Sequence, residues 1–235
     1  MKLRLQITKD KDIRFISHLE YVRTLGRAIR RAKLPAAYSE GFNPHLKYSL
    51  ASALGVGVVS YTEFVEIELA EELDVEEAAL RLSKALPRGI RVLAADAVEN
   101  NAPALMAVAA GAEYRVTLPY DKDLRNAVHA FNSVDTLTFK KAAPKTKAGF
   151  KEVDVKFYIP KISFKQFDGK TEFNFTCKIT PTGSMKAVDL LNALNETYDL
   201  GLPVEMADIE RMKLYRADRN GKKLPMLNEN AWIKK

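Results

Sequence analysis

The chain has 235 residues, 47% hydrophobic and 29% charged, with a formal net charge of +7 and a pI near 9.3. That length accommodates two domains of about 100 residues each. Cys177 is the single cysteine, which excludes an internal disulfide and a cysteine-based metal cluster. No apolar run approaches the ~20 residues that span a bilayer, and the opening MKLRLQITKDKDIRF lacks the apolar core of a signal peptide, so a cytoplasmic protein without a membrane partner is expected. His18, His45 and His129 lie far apart in sequence, and no metal site is expected from them.

Charge is distributed unevenly. The first 50 residues carry 11 Lys+Arg against 4 Asp+Glu, a net of +7. Residues 51–100 carry 4 against 10, a net of −6, and residues 101–235 carry 22 against 16, a net of +6. A concentrated basic start points to an anionic partner, either RNA or an acidic protein.

Lys2–Lys9 alternates Leu3, Leu5 and Ile7 with Arg4, Gln6 and Thr8, the period of a half-buried strand. Ser17 and Glu20 form an S-x-x-E capping box that opens a helix, with Ile16 placed as the hydrophobic staple. Val22, Leu25, Ile29 and Ala32 share one helical face, and Arg23, Arg27, Arg30 and Arg31 the opposite one. Gly26 within that helix costs about 1 kcal/mol relative to Ala, and close approach of another backbone would account for it. Leu34-Pro35 stops the helix. Gly41-Phe42-Asn43-Pro44-His45 is a turn by composition.

Strands are predicted over residues 47–54 and 60–69, the second alternating Phe64, Val65, Ile67 and Leu69 with Glu63, Glu66 and Glu68; Gly55-Val56-Gly57 between them marks a hairpin or bulge. Asp74 caps a helix through about residue 86, and residues 90–95 form a short strand. The order strand, helix, strand, strand, helix, strand is the split βαβ pattern of a ferredoxin-like fold.

Residues 98–112 read as a linker. The same order then recurs, with strands at 114–118, 136–141, 153–159, 171–179 and 204–216 and helices at 121–131 and 184–194. The expectation is an α+β protein of tandem ferredoxin-like (βαββαβ) domains with antiparallel sheets: residues 1–97, a linker at 98–112, residues 113–217, and a polar, loosely packed tail at 218–235 with Trp232 as a residue that can dock.

Arg14-Phe15, Ser17-His18-Leu19-Glu20, Arg23, Arg27 to Ala32, Leu34-Pro35, Ala37 to Lys47, Ala51, Ala53-Leu54, Gly57, Ser60 and Glu63 together resemble the bacterial "radical SAM-linked" family. This is a domain of unknown function that occurs alone or fused to radical SAM, cobalamin-binding-type proteins. The basic-then-Asp entry between Lys145 and Asp154 fits it too. Leu46 stands where members have a second proline, and Glu20 where they have Asp. The resemblance implies a radical SAM protein as partner. A radical SAM cluster needs several closely spaced cysteines, so with Cys177 alone this chain is expected to bring no cofactor and not to be the catalyst.

The expected function is a non-catalytic, RNA-binding, substrate-presenting module in RNA modification, with no DNA preference inferable. Arg23, Arg27, Arg30, Arg31, Lys33 and Lys47 are candidates for phosphates, and Tyr21, Tyr38, Phe42 and Asn43 for unpaired bases. Lys145, Lys147 and Lys151, beside Lys140 and Lys141, form a second basic run around Pro144 and Gly149. One alternative is a protein–protein adaptor docking the radical SAM enzyme. Another is a metal-independent endoribonuclease, since the tandem layout resembles the CRISPR repeat-processing enzymes. His18 would then be general base, with His45 or Lys47 as acid or charge stabiliser.

Overall fold

The alternation at the start of the chain folds as read. In a computed structural model, which describes residues 1–143, 146 and 148–234, β1 (Lys2–Lys9) buries Leu3, Leu5 and Ile7 completely. The chain divides into two units, residues 1–109 with 213–235 and residues 110–212.

In the first unit β1 is followed by α1 (His18–Arg31), β2 (Tyr48–Leu50), β3 (Val58–Glu68), α2 (Val75–Ala85) and β4 (Val92–Val98). β1 lies antiparallel to both β3 and β4, with Leu5 opposite Val65 on one side and Ala95 on the other. β2 pairs antiparallel with the far side of β3, Tyr48 opposite Ile67. The strand order is therefore β2-β3-β1-β4, and both helices pack on one face through Leu25, Ile29, Ala78, Ala79 and Leu82.

The other face of this sheet is covered as well. The segment expected to be a linker contains α3 (Leu105–Val108), whose Leu105 is fully buried. Lys2 Nζ donates to the Ala102 carbonyl at 2.7 Å, and Arg4 donates to the Pro103 carbonyl and, at 2.8 Å, to Glu66. This explains why Glu66 is not part of an exposed stripe: it is buried against Arg4. Glu63, opposite Ile7 and so on the helix-facing side, is fully buried and accepts from Ser60 at 2.6 Å. A buried carboxylate is tolerated only when such partners replace its water.

In the second unit β5 (Ala109–Leu118) precedes α4 (Arg125–Ser133), the hairpin β6 (Thr138–Ala142) and β7 (Phe150–Asp154), and α5 (Val155–Tyr158). β8 (Ile162–Phe167), β9 (Lys170–Thr180), the short β10 (Gly183–Ser184), α6 (Ala187–Tyr198) and β11 (Asp208–Ala217) follow. β9 is antiparallel to β5 and to β8, and β11 lies beside β5. The order is β8-β9-β5-β11, with the β6–β7 hairpin as a separate two-stranded sheet.

The expected strand at 204–216 begins only at Asp208, after a 3-10 turn at Val204–Met206. Residues 153–159 are not one strand, because the Asp154 carboxylate accepts from the Leu137 and Lys156 amides, both at 3.0 Å, ending β7 and capping α5. Strand β8 was not read from the sequence at all.

The tail is packed rather than loose. β12 (Lys223–Leu224) folds back on the end of β11, and β13 (Trp232–Ile233) adds to β4 with Trp232 opposite Ala95. Met226 and Leu227 are buried. Apolar residues spaced along a polar segment suffice to hold it when a strand edge is open. Among the described residues no helix is long and apolar enough to cross a membrane.

Candidate nucleic-acid interface

Helix α1 begins where Ser17 accepts the Glu20 amide at 3.2 Å. Only this half of the expected capping box forms. The Glu20 carboxylate instead accepts from Arg23 at 2.6 Å. Leu25 and Ile29 are buried as expected and Val22 is half-buried. Tyr21, a candidate for base stacking, is instead part of the core: it is buried and its hydroxyl donates to the Thr8 carbonyl at 2.8 Å. Burial, reinforced by the nearby Glu63 charge, holds its phenol well above the usual tyrosine range.

Gly26 has a different reason from the one expected. The three atoms nearest to a Cβ placed there all belong to the Tyr48 side chain. A Cβ at Gly26 would press on the Tyr48 hydroxyl, which donates to the Val22 carbonyl at 2.9 Å. Burial pushes the Tyr48 phenol up, and the Arg30 charge pulls it the other way. The start of β2 thus borders the arginine face of α1.

That face is exposed. Arg23 is neutralised by Glu20, and Arg31 donates to the Ala85 carbonyl at the end of α2 at 2.7 Å. Arg27, Arg30 and Lys33 are exposed and make no ion pair among the described residues. Lys33 occupies the left-handed position that ends the helix (φ 51°), with its amide on the Arg30 carbonyl and the Leu34 amide on that of Ile29. This is a Schellman ending in which glycine is the usual residue.

From Lys33 the chain runs into an arm. Ala37 and Lys47 pair with each other and with Glu68, and Tyr38 bridges Leu46; the Ser39 amide donates to the His45 carbonyl at 2.8 Å and the His45 amide to Ser39 Oγ at 2.9 Å, which locks the turn. The tip holds Phe42 entirely in solvent, with Tyr38 half exposed and Asn43 and His45 exposed. Lys47 pairs with Glu68 at 2.9 Å on the surface. The structure thus brings Arg27, Arg30, Lys33, Tyr38, Phe42, Asn43 and Lys47 into one stretch of helix, ending and arm. His18 sits half-buried in the first turn of α1.

One element of this region was not read from the sequence. The Lys9 side chain is buried at the end of β1 and donates to the carbonyls of Arg14 (2.9 Å), Ile16 (3.1 Å) and Gly55 (3.4 Å). Arg14 also bonds the Gly57 carbonyl at 2.8 Å and stands 5.5 Å from the centre of the exposed Phe15 ring. A lysine ending an alternating strand gives no hint of this role, because these three acceptors are main-chain carbonyls.

In the second unit Lys151 is exposed, while Lys145 and Lys147 lie outside the described residues. Cys177 is buried and its thiol is pushed up to about 11, mainly by burial, which leaves it inert at neutral pH. Among the described residues no His, Cys, Asp and Glu cluster is arranged to hold a metal.

Fold and surface define a mixed α/β protein of mostly antiparallel sheets with an open cationic helix face. The chain belongs to the family described as an uncharacterized protein conserved in bacteria, DUF2344, whose model matches residues 2–189. That description names no radical SAM link. No curated protein matches the chain. Among solved structures it is similar to a chain of a Cbf5-Nop10-Gar1 complex, with 11% identity over 84% of this chain and 46% of that one and a TM-score of 0.46. It is also similar to a chain of an archaeal box H/ACA sRNP Nop10-Cbf5 complex, with 10% identity over 89% and 46% and a TM-score of 0.43. An unknown protein from Galdieria sulphuraria aligns over 92% and 98% with 13% identity and a TM-score of 0.27. The chain spans about half the length of the first two. At such scores these likenesses bear on neither partner nor activity.

Proposed function

We propose that this protein is a non-catalytic RNA-binding module that presents RNA to a modifying enzyme. The observation that carries the reading is the pair Arg27 and Arg30, exposed and without ion pairs among the described residues, beside an arm that holds Phe42 in water. Cations without carboxylates are suited to phosphates, and an exposed ring on a locked turn is suited to an unpaired base. A radical SAM enzyme as partner rests on the sequence resemblance alone. We read both units as ferredoxin-like, a reading supported by their shared strand order, with the β6–β7 hairpin as an insertion in the second.

Filter binding with transfer and ribosomal RNA at two salt concentrations tests this. Retention at low salt that is lost at high salt is expected; no retention at low salt removes the proposal. The adaptor reading is favoured by one observation, the exposed Phe15, Leu19 and Val56 around the loops that Lys9 ties together. Co-elution with a radical SAM enzyme on a sizing column, without RNA, would establish it. For cleavage, RNA cut in the presence of chelator by the wild type but not by His18→Ala would restore the catalytic candidates His18, His45 and Lys47.

A further inference from the structure

The β6–β7 hairpin and α5 carry a second unusual surface, wholly within the second unit. Phe150 and Phe157 are 39% and 51% exposed. Lys140 Nζ stands 5.1 Å from the centre of the Phe150 ring, and Lys178 Nζ stands 5.3 Å from that of Phe157. Neither lysine is in an ion pair among the described residues, although Glu152 stands opposite Lys140 across the hairpin. By contrast Lys165, beside Phe167, is paired with Glu172 at 3.1 Å. Tyr158 meets Phe157 edge-on at 5.0 Å.

The hairpin's other face adds an independent sign. Lys141 stands directly opposite Lys151 across the two strands. Like charges so placed destabilise a pair of strands. Asp189 neutralises Lys141 at 2.8 Å, which leaves Lys151 exposed and without an ion pair among the described residues. A small hairpin gains nothing in stability from this arrangement, whereas an anionic ligand relieves it.

We propose that Phe150, Phe157, Lys140 and Lys178 form a track for an unpaired polynucleotide strand, with bases stacking on the rings and phosphates meeting the lysines. β7 and one helical turn place the Cα atoms of Phe150 and Phe157 at most about 18 Å apart, a span of a few nucleotides. Interleaved rings and cations are what a single strand requires, because every base has a stackable face and every linkage a charge. A duplex offers no free base faces. The proposal rests on the reading above in one respect, that RNA is the ligand, and it gives that RNA a class: unpaired.

The test uses the full chain, a labelled oligouridine and a blunt RNA duplex of equal length. Phe150→Ala with Phe157→Ala is expected to weaken oligouridine binding by roughly 5- to 100-fold per lost stack and to leave the duplex nearly unchanged. Phe150→Leu with Phe157→Leu keeps the apolar bulk and the fold, and is expected to weaken oligouridine as well. Arg27→Glu with Arg30→Glu is expected to weaken both probes. The track is overturned if the alanine pair changes neither probe or both equally, or if the leucine pair binds as wild type. It is overturned too if polyglutamate displaces the protein from anchored oligouridine as well as free oligouridine does, since that result marks a surface for acidic protein. Wild-type protein that retains neither RNA ends the whole RNA reading, which separates the two failures.

Discussion

The back of the first unit's sheet and the outer face of α1 both carry arginine, and the surroundings decide what the guanidinium does. Arg4 is buried, bonded to Glu66 and to the Pro103 carbonyl, and cannot reach a ligand. Arg27 and Arg30 are exposed with no acidic partner among the described residues. α2, on the same face of the sheet as α1, shows the ordinary alternative: its exposed Arg81 is paired with Glu77 one turn away. Net charge alone does not separate these cases. The presence or absence of a carboxylate partner does, and it marks α1 as a surface with unused charge.

The largest effect should come from the buried side. Glu66→Ala leaves Arg4 uncompensated, and urea unfolding should show a loss of about 3–5 kcal/mol. A loss under about 1 kcal/mol would mean that Arg4 reaches water, and the contrast with α1 would lapse. On the exposed side, Arg27→Glu with Arg30→Glu should lower RNA affinity by roughly 10- to 100-fold at low salt while the melting temperature stays put. A matching fall in melting temperature would class these arginines with Arg4.

The border between helix and arm offers a smaller effect. Gly26→Ala should destabilise by about 1–2 kcal/mol despite alanine's better helix propensity, because the methyl displaces the Tyr48 hydroxyl from the Val22 carbonyl. Adding Tyr48→Phe should recover part of the loss in thermal melts. Smallest is Lys33→Gly, which relieves a left-handed lysine. It should raise stability by about 0.5–1 kcal/mol and weaken RNA binding a few-fold. A stabilised variant with unchanged RNA affinity would remove Lys33 from the interface.

Much of the first unit was legible because its strands and helices alternate apolar and polar residues with clear periods. Leu3, Leu5 and Ile7, or Leu25 and Ile29, reveal their burial by spacing alone. Glu66 misled for the same reason: alternation predicts which face a side chain takes, not whether something covers that face. Glu63 falls instead on the core side, in register with Ile7. The covering segment, with Pro103 and Leu105, looks like a linker because its contacts are made to residues about 100 positions away. Tyr21 and Gly26 show the same limit within α1. Their partners, the Thr8 carbonyl and the Tyr48 ring, come from other elements. Of the candidate interface, the arginine stripe was legible, but its division into paired Arg23, engaged Arg31 and unpaired Arg27 and Arg30 was not, since all four share one helical face.

The most direct measurement is the salt dependence of RNA retention by the wild type and by the Arg27→Glu, Arg30→Glu variant. The account predicts retention at low salt that falls steeply as salt rises, with the slope of log affinity against log salt reduced by roughly 1.4–1.8 in the variant, as two lost phosphate contacts require. Identical slopes for the two proteins, or no retention by the wild type at low salt, would contradict it.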